Sequence, residues 1–274
     1  MKLQYLGTGA AEGIPALFCK CPVCVKARKN GGRDIRTRSQ AVVDGKILLD
    51  FPPDTYAHYL NFGFDLPSIQ HLFVTHSHSD HFYPDDLVLR HPGYGHQDFE
   101  TLHIYGNEKV EELFYLLQLT QREGIDNCRF HLVKPFDRID AGAYHVTAFP
   151  ALHNRRETCL FYSLEHEGKA LLYVHDSGDF PPAAWDYLAS AQPHFDLVSL
   201  DCTFVKYPDG KNHMGIPDNI KVRQRLFDIG AADKNTVFVL NHFSHNGGCN
   251  YDELSALAEK EGFLAAWDGM EITL

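Results

Sequence analysis

Short β-branched or aliphatic runs, each closing in a polar loop, recur along the chain: KLQYLG, AVVDGKILLD, IQHLFVTH, LHIYG, YHVTAFP, KALLYVHD, FDLVSLD and TVFVLNH. Each has the length and composition of a strand. Segments of helical spacing lie between them near 53–62, 107–119, 181–191, 216–229 and 251–260. There is no linker, low-complexity tract or short-period repeat. This interleaving predicts one layered α/β (α+β) domain over residues 1–274. DGK at 44–46 reads as a hairpin turn, so part of the sheet is expected to be antiparallel. Apolar residues make up 44% of the 274, enough for a sizeable core.

The polar ends of these runs concentrate the chemistry. His76, Asp176 and His242 end three of them, and His153 follows a fourth. Groups placed at strand ends face a common rim, where rigid backbone supports them from one side. The densest stretch is FVTHSHSDHF at 73–82. His76 and His78, two apart, point to one side in extended backbone and about 200° apart on a helix, so the segment is expected to be a loop after a strand. Asp80 and His81, as neighbours, are expected to diverge into a turn that hands them to a second ion. Imidazoles and a carboxylate are ligands that zinc, manganese and iron accept, and cations remove the mutual repulsion of such a cluster.

Composition excludes several classes. A formal charge of −11 lacks the lysine and arginine density that displaces phosphate counterions, which argues against a nucleic-acid surface. No apolar run approaches the ~18 residues of a membrane span, and the polar, glycine-rich start MKLQYLGTGAAEG does not read as a signal peptide. The cytoplasm is the expected compartment. In a reducing compartment the C-x-C-x-x-C of Cys19, Cys21 and Cys24 reads as metal thiolates, and most of the other four, Cys128, Cys159, Cys202 and Cys249, as small buried hydrophobes. Structural zinc wants four ligands. The residues alone leave His245 open, either to complete that set or to join the first cluster.

THSHSDH, together with GTGAAEGIP at the amino end, ALHN at 151–154, HDSGD at 175–179 and LNHFSH at 240–245, resembles the metallo-β-lactamase-fold hydrolases over essentially the whole chain. Within them the likeness is to the phosphoribosyl 1,2-cyclic phosphate phosphodiesterases of the carbon–phosphorus lyase pathway. These share the cysteine cluster, a DCT strand end followed by an NH loop, and a terminal DGMEI. The resemblance implies an αββα four-layer sandwich with two divalent cations, manganese or zinc, at one edge. By position, His76, His78 and His153 would bind one ion, Asp80, His81 and His242 the other, and Asp176 would bridge them. His245 would complete one structural zinc with Cys19, Cys21 and Cys24. His213, in the loop after the strand ending at Asp201, would be the general acid. Asp80 is counted with it among the catalytic groups.

The activity so implied is hydrolysis of a small cyclic phosphate diester by attack of a metal-bridging hydroxide, with no serine or cysteine nucleophile. Asp201 is expected either to orient a ligand or to cap a turn. Arg155 and Arg156 are expected to fork onto a substrate phosphate. Of the six basic residues in KARKNGGRDIRTR at 26–38, most read as a solvated face, with attraction of a doubly phosphorylated sugar as the alternative. The glycines at 7, 9 and 13 have the wrong spacing for a dinucleotide fingerprint, and the resemblance implies that the segment is a tight loop near the metals. The expected partners are a small anionic diester and a second copy of the chain, with no membrane. Two alternatives stand: an RNA-processing nuclease of the same superfamily, and a non-hydrolytic protein like those of pyrroloquinoline-quinone biosynthesis, which share the cysteine cluster. The complete ligand set favours catalysis.

Overall fold

The computed structural model describes residues 1–96, 99–121 and 125–274. Strands β1 (Lys2–Gly7), β2 (Gln40–Val43), β3 (Ile47–Leu49), β4 (His71–Phe73), β5 (Leu102–Gly106) and β6 (Cys128–Leu132) lie in that order in one sheet. The next seven build a second sheet: β7 (Arg138–Ala141), β8 (Tyr144–Pro150), β9 (Leu160–His166), β10 (Lys169–Tyr173), β11 (Leu197–Asp201), β12 (Val237–Asn241) and β13 (Leu264–Ala265). The last strand, β14 (Glu271–Thr273), returns to the first sheet beside β1. Both sheets are mixed. The run β3 to β6 and the run β10 to β13 are parallel, and the remaining neighbours are antiparallel.

The hairpin expected at DGK joins β2 to β3. Asp44 and Gly45 have φ of 51° and 64°, the paired positive values that a right-twisted two-residue turn requires. Alternation along the first sheet then fills two cores. Leu3, Tyr5, Ile47, Leu49 and Phe73 face the second sheet, while Leu6, Leu48, Leu72 and Val74 face outward. The outward set is covered by Val110, Phe114 and Leu117 of a helix. Such two-sided burial yields continuous apolar runs, as in VVDGKILL, where an exposed face would have alternated with polar residues.

The helices are α1 (Pro22–Asn30), α2 (Thr55–Phe62), α3 (Pro92–Gly95), α4 (Glu108–Thr120), α5 (Pro182–Ala191), α6 (Ile216–Asp228) and α7 (Tyr251–Lys260). The five segments of helical spacing correspond to α2, α4, α5, α6 and α7. Helix α1 escaped the pattern because it buries only Cys24 and Ala27. The helix-sheet-sheet-helix layering is the expected one. No helix among the described residues is long and apolar enough to cross a membrane.

The amino-terminal glycines are packing devices. A Cβ on Gly7 would fall 1.9 Å from the Arg38 carbonyl oxygen, and one on Gly9 2.9 Å from that of Thr37. This loop pairs with the segment after β12: Phe243 N donates to Thr8 O, and Ala10 N donates to Phe243 O, each at 2.9 Å.

Of the six basic residues at 26–38, Lys26, Arg28, Lys29 and Arg33 are exposed, as a solvated face requires. Lys26 pairs with Glu253, and Arg38 with Asp54. Arg28 donates to the carbonyls of Cys19 and Ala16, and Arg33 lies over Trp267. Arg36 is buried against Thr8, Ala266 O and the Phe243 ring. Arg36 alone is buried and Arg38 is half-buried, so the internal ties are theirs and the other contacts lie at the surface.

Candidate metal centre

After β4 the chain leaves the sheet as a loop that bends at Ser77 and His78, and His76 Nε2 and His78 Nδ1 lie 2.9 Å apart. His81 N and Phe82 N then both donate to His78 O, at 2.9 and 2.8 Å, closing a tight turn. This turn overturns one expectation. Asp80 and His81 converge instead of diverging, with Oδ2 and Nε2 3.2 Å apart, because the curvature of the turn sets their directions.

The loops after β8, β10 and β12 bring His153, Asp176 and His242 to the same rim. Two groups of ligand atoms result, each within 4.8 Å of one another: His76, His78, His153 and Asp176, and Asp80, His81, Asp176 and His242. Asp176 belongs to both. Its Oδ2 lies 3.2 Å from His76 Nε2 and 2.9 Å from His81 Nε2, and its Oδ1 lies 3.0 Å from His242 Nε2. Asp176 and His242 both hold left-handed backbone, φ 46° and 61°, a conformation that non-glycine residues keep only when their surroundings impose it.

The donor set fits divalent cations. His81 Nε2, Asp176 Oδ1 and His242 Nε2 are buried without a hydrogen-bond partner. Unpaired atoms of this kind are costly unless something else satisfies them, and these three converge on one region. Charge points the same way. Burial alone would raise the Asp176 carboxyl, but His242 and His81 outweigh it and hold the group well below the usual carboxylate range. Burial would likewise depress His81, yet Asp80, Asp50 and Asp176 drive it well above the usual imidazole value. Buried carboxylates here demand positive charge, and imidazoles are drawn into supplying it. His153, by contrast, is held neutral, depressed to about 4 chiefly by burial. Nitrogen and oxygen donors without sulfur suit zinc, manganese or iron.

Several residues that orient this set were not singled out in the sequence. Asp50, at the end of the β3 run, accepts from His81 Nδ1 at 2.7 Å and from Thr75 N at 2.8 Å. Its signal was available, for it ends a strand run as Asp176 and Asp201 do. Glu157 accepts from Ser77 N, Ser77 Oγ, Asn107 Nδ2 and Asn154 Nδ2, and so fixes the H-x-H loop. No local pattern marks it. Asp201 caps the turn after its strand, while the hydrogen-bond partner of His242 Nδ1 is Thr203 Oγ1 at 2.9 Å. Asp201 accepts from Thr203 N and Met214 N, and it lies 3.4 Å from His242 Nδ1.

His213 comes to the rim as expected. Its Nδ1 lies 3.1 Å from Asp201 Oδ2 and 3.4 Å from Asp176 Oδ1. Burial would depress it, but Asp201 outweighs burial and lifts it to about 9, so it carries a proton at neutral pH. It also forms a ligand-like group with Asp176, Asp201 and His242. Arg155 and Arg156 are exposed beside His153, and neither side chain makes a hydrogen bond or ion pair among the described residues.

The loop carrying His213 is clamped. A Cβ on Gly178 would fall 2.4 Å from Lys211 O and 2.5 Å from Gly210 O. Gly178→Ala is therefore expected to push this loop away, costing about 1–3 kcal/mol in urea unfolding. Wild-type stability in that variant would show that the loop yields freely.

Cys19, Cys21, Cys24 and His245 form a separate four-residue group within 4.8 Å. His245 Nδ1 faces Cys21 Sγ at 3.3 Å and Cys19 Sγ at 3.4 Å, while its Nε2 lies 3.5 Å from Glu12 Oε1. A carboxylate behind a histidine is a common way of fixing which nitrogen meets a metal. Ser244 also donates to Glu12, tying the glycine loop to the segment just after His242.

Residues 46–243 match the family model described as beta-lactamase superfamily domain. The chain belongs to the beta-lactamase superfamily. A crystal structure of a diphosphatase from the PhnP family superposes with a TM-score of 0.77 at 23% identity, covering 100% of this chain and 97% of that one. Zinc-bound PqqB from Methylobacterium extorquens gives 0.72 at 18% identity, covering 100% of both chains. At such identities these likenesses establish the metallo-β-lactamase fold. An octanoyltransferase from Porphyromonas gingivalis is 34% identical over 283 residues, covering 99% of this chain and 51% of that protein. The chain thus spans about half the length of this curated relative.

Proposed function

We propose that this superfamily member is a dimetal-dependent phosphodiesterase that opens a small cyclic phosphate diester, phosphoribosyl 1,2-cyclic phosphate being the candidate substrate. The observation that carries the reading is Asp176, one carboxylate shared by two four-residue ligand groups. In this reading His76, His78 and His153 hold one divalent cation, Asp80, His81 and His242 hold the other, and Asp176 serves both. Manganese or zinc held so would supply Lewis acidity toward a water and toward phosphoryl oxygens. The protein's own part is positional and acid–base. Asp50 and Thr203 fix the rings of His81 and His242, and His213 gives a proton to the departing alkoxide. Arg155 and Arg156, exposed beside His153 and without a side-chain partner among the described residues, are available to a second phosphate. Cys19, Cys21, Cys24 and His245 hold a structural zinc that braces the wall behind His242.

One observation favours a second reading, the 34% identity to part of an octanoyltransferase. An octanoyl ester or thioester carbonyl responds to the same Lewis acidity, so the centre would hydrolyse an acyl bond. A substrate panel decides between them. Turnover of bis-p-nitrophenyl phosphate and of cyclic sugar phosphates is expected to fall more than ~100-fold on chelation and to return with Mn²⁺ or Zn²⁺. An octanoyl thioester and precursor tRNA are expected to remain intact. Greater kcat/KM on the thioester would replace the first reading with the second, and cleavage of the tRNA would make the protein a nuclease.

A further inference from the structure

One histidine at the rim belongs to neither ligand group. His175 precedes Asp176, is fully buried, and has both ring nitrogens occupied. Its Nδ1 lies 2.9 Å from Ser39 Oγ, and its Nε2 lies 3.0 Å from Asn241 Nδ2 and 3.3 Å from Ser199 Oγ. Neither nitrogen keeps a free lone pair for an ion. The Tyr173 ring packs against it, with centroids 3.6 Å apart.

The places from which these partners come matter more than their number. Ser39 leads into β2 of the first sheet, Ser199 lies in β11 and Asn241 ends β12 of the second. Ser199 also accepts from Tyr5 Oη of β1 at 2.9 Å, so the linkage crosses between the sheets twice. Each partner stands beside a residue of the centre. Asn241 precedes His242, and Ser199 lies two before Asp201. Gln40, next to Ser39, donates to the backbone of Asp50, which holds His81. Both flanking ligands, Asp176 and His242, sit in left-handed backbone that neighbouring contacts must impose.

We infer that His175 is a positioning residue, which sets Asp176 and His242 relative to one another by bonding across both sheets, and thereby fixes the Asp80–His81–His242 ion position more than the His76–His78–His153 one. The asymmetry follows from connectivity. Asn241 is continuous with His242, whereas His76 and His78 hang on the Glu157 anchor, which His175 does not touch. The inference rests on the ligand sets proposed above.

The test is chelator-competition titration with Co²⁺ as probe, on protein keeping its thiolate zinc. Wild type is expected to show two binding steps. His175→Phe keeps the ring shape but removes both nitrogens, and is expected to weaken one step ~10–100-fold, as loss of orienting partners does, to weaken the other clearly less through the shared Asp176, and to leave the thiolate zinc unchanged. His175→Gln, able to donate and accept, is expected to recover most of the lost affinity. Wild-type affinities in His175→Phe, or equal weakening of both steps, would overturn the inference. If that variant fails to fold, Ser39→Ala decides, with the same selective weakening supporting the role and unchanged affinities overturning it. Absence of both steps from wild-type protein would instead remove the proposed function, and the inference with it.

Discussion

Replacing Asp176 with alanine is expected to leave neither ion tightly bound and to lower turnover by at least ~10⁴-fold, while the thiolate zinc stays in place. Each ligand group keeps three members without Asp176, but both lose the same carboxylate, so the damage is shared. The buried His81 and His242 then lose the carboxylate that faces them at 2.9 and 3.0 Å. Asp176→Asn serves as control, since asparagine tolerates the left-handed backbone and has the same shape. A loss in both variants assigns the effect to charge, whereas a loss confined to alanine assigns it to shape. Elemental analysis reads the outcome directly. Both ions at full occupancy in Asp176→Ala would end the shared-ligand reading.

His213→Gln is expected to retain its ions and to lose ~10²–10⁴-fold in kcat on a diester with an alkoxide leaving group. A p-nitrophenyl diester, whose leaving group needs no proton, is expected to be affected far less. The contrast separates two roles that the geometry places side by side. An acid acts only where the leaving group is poor, while a ligand, as the group with Asp176, Asp201 and His242 would permit, acts on every substrate. Equal losses on both diesters, with ions released, would make His213 a ligand.

What the sequence disclosed depended on how local the signal was. His76, His78, Asp80 and His81 lie within one turn, and their types and spacing speak for themselves. Asp176 and His242 were legible because each ends an apolar run, and strand ends share a rim. Convergence of Asp80 with His81 was not legible, since it depends on two amides closing on His78 O. Glu157 and Glu12 act across sheets and loops, so nothing nearby in sequence marks them. Strand β6, with its irregular burial, and helix α1, with two buried residues, lacked the periodicity by which such elements are recognised.

The two ligand groups differ in exposure: Asp80, His81, Asp176 and His242 are all buried, whereas His78 is exposed and His153 only partly covered. Cations held there would trade with the medium at unequal speeds, the shielded one slowly and the other quickly. Purification in mild chelator would then yield protein with one position depleted and the other full. Assays would then need the labile cation resupplied, and its identity in the test tube would follow the buffer.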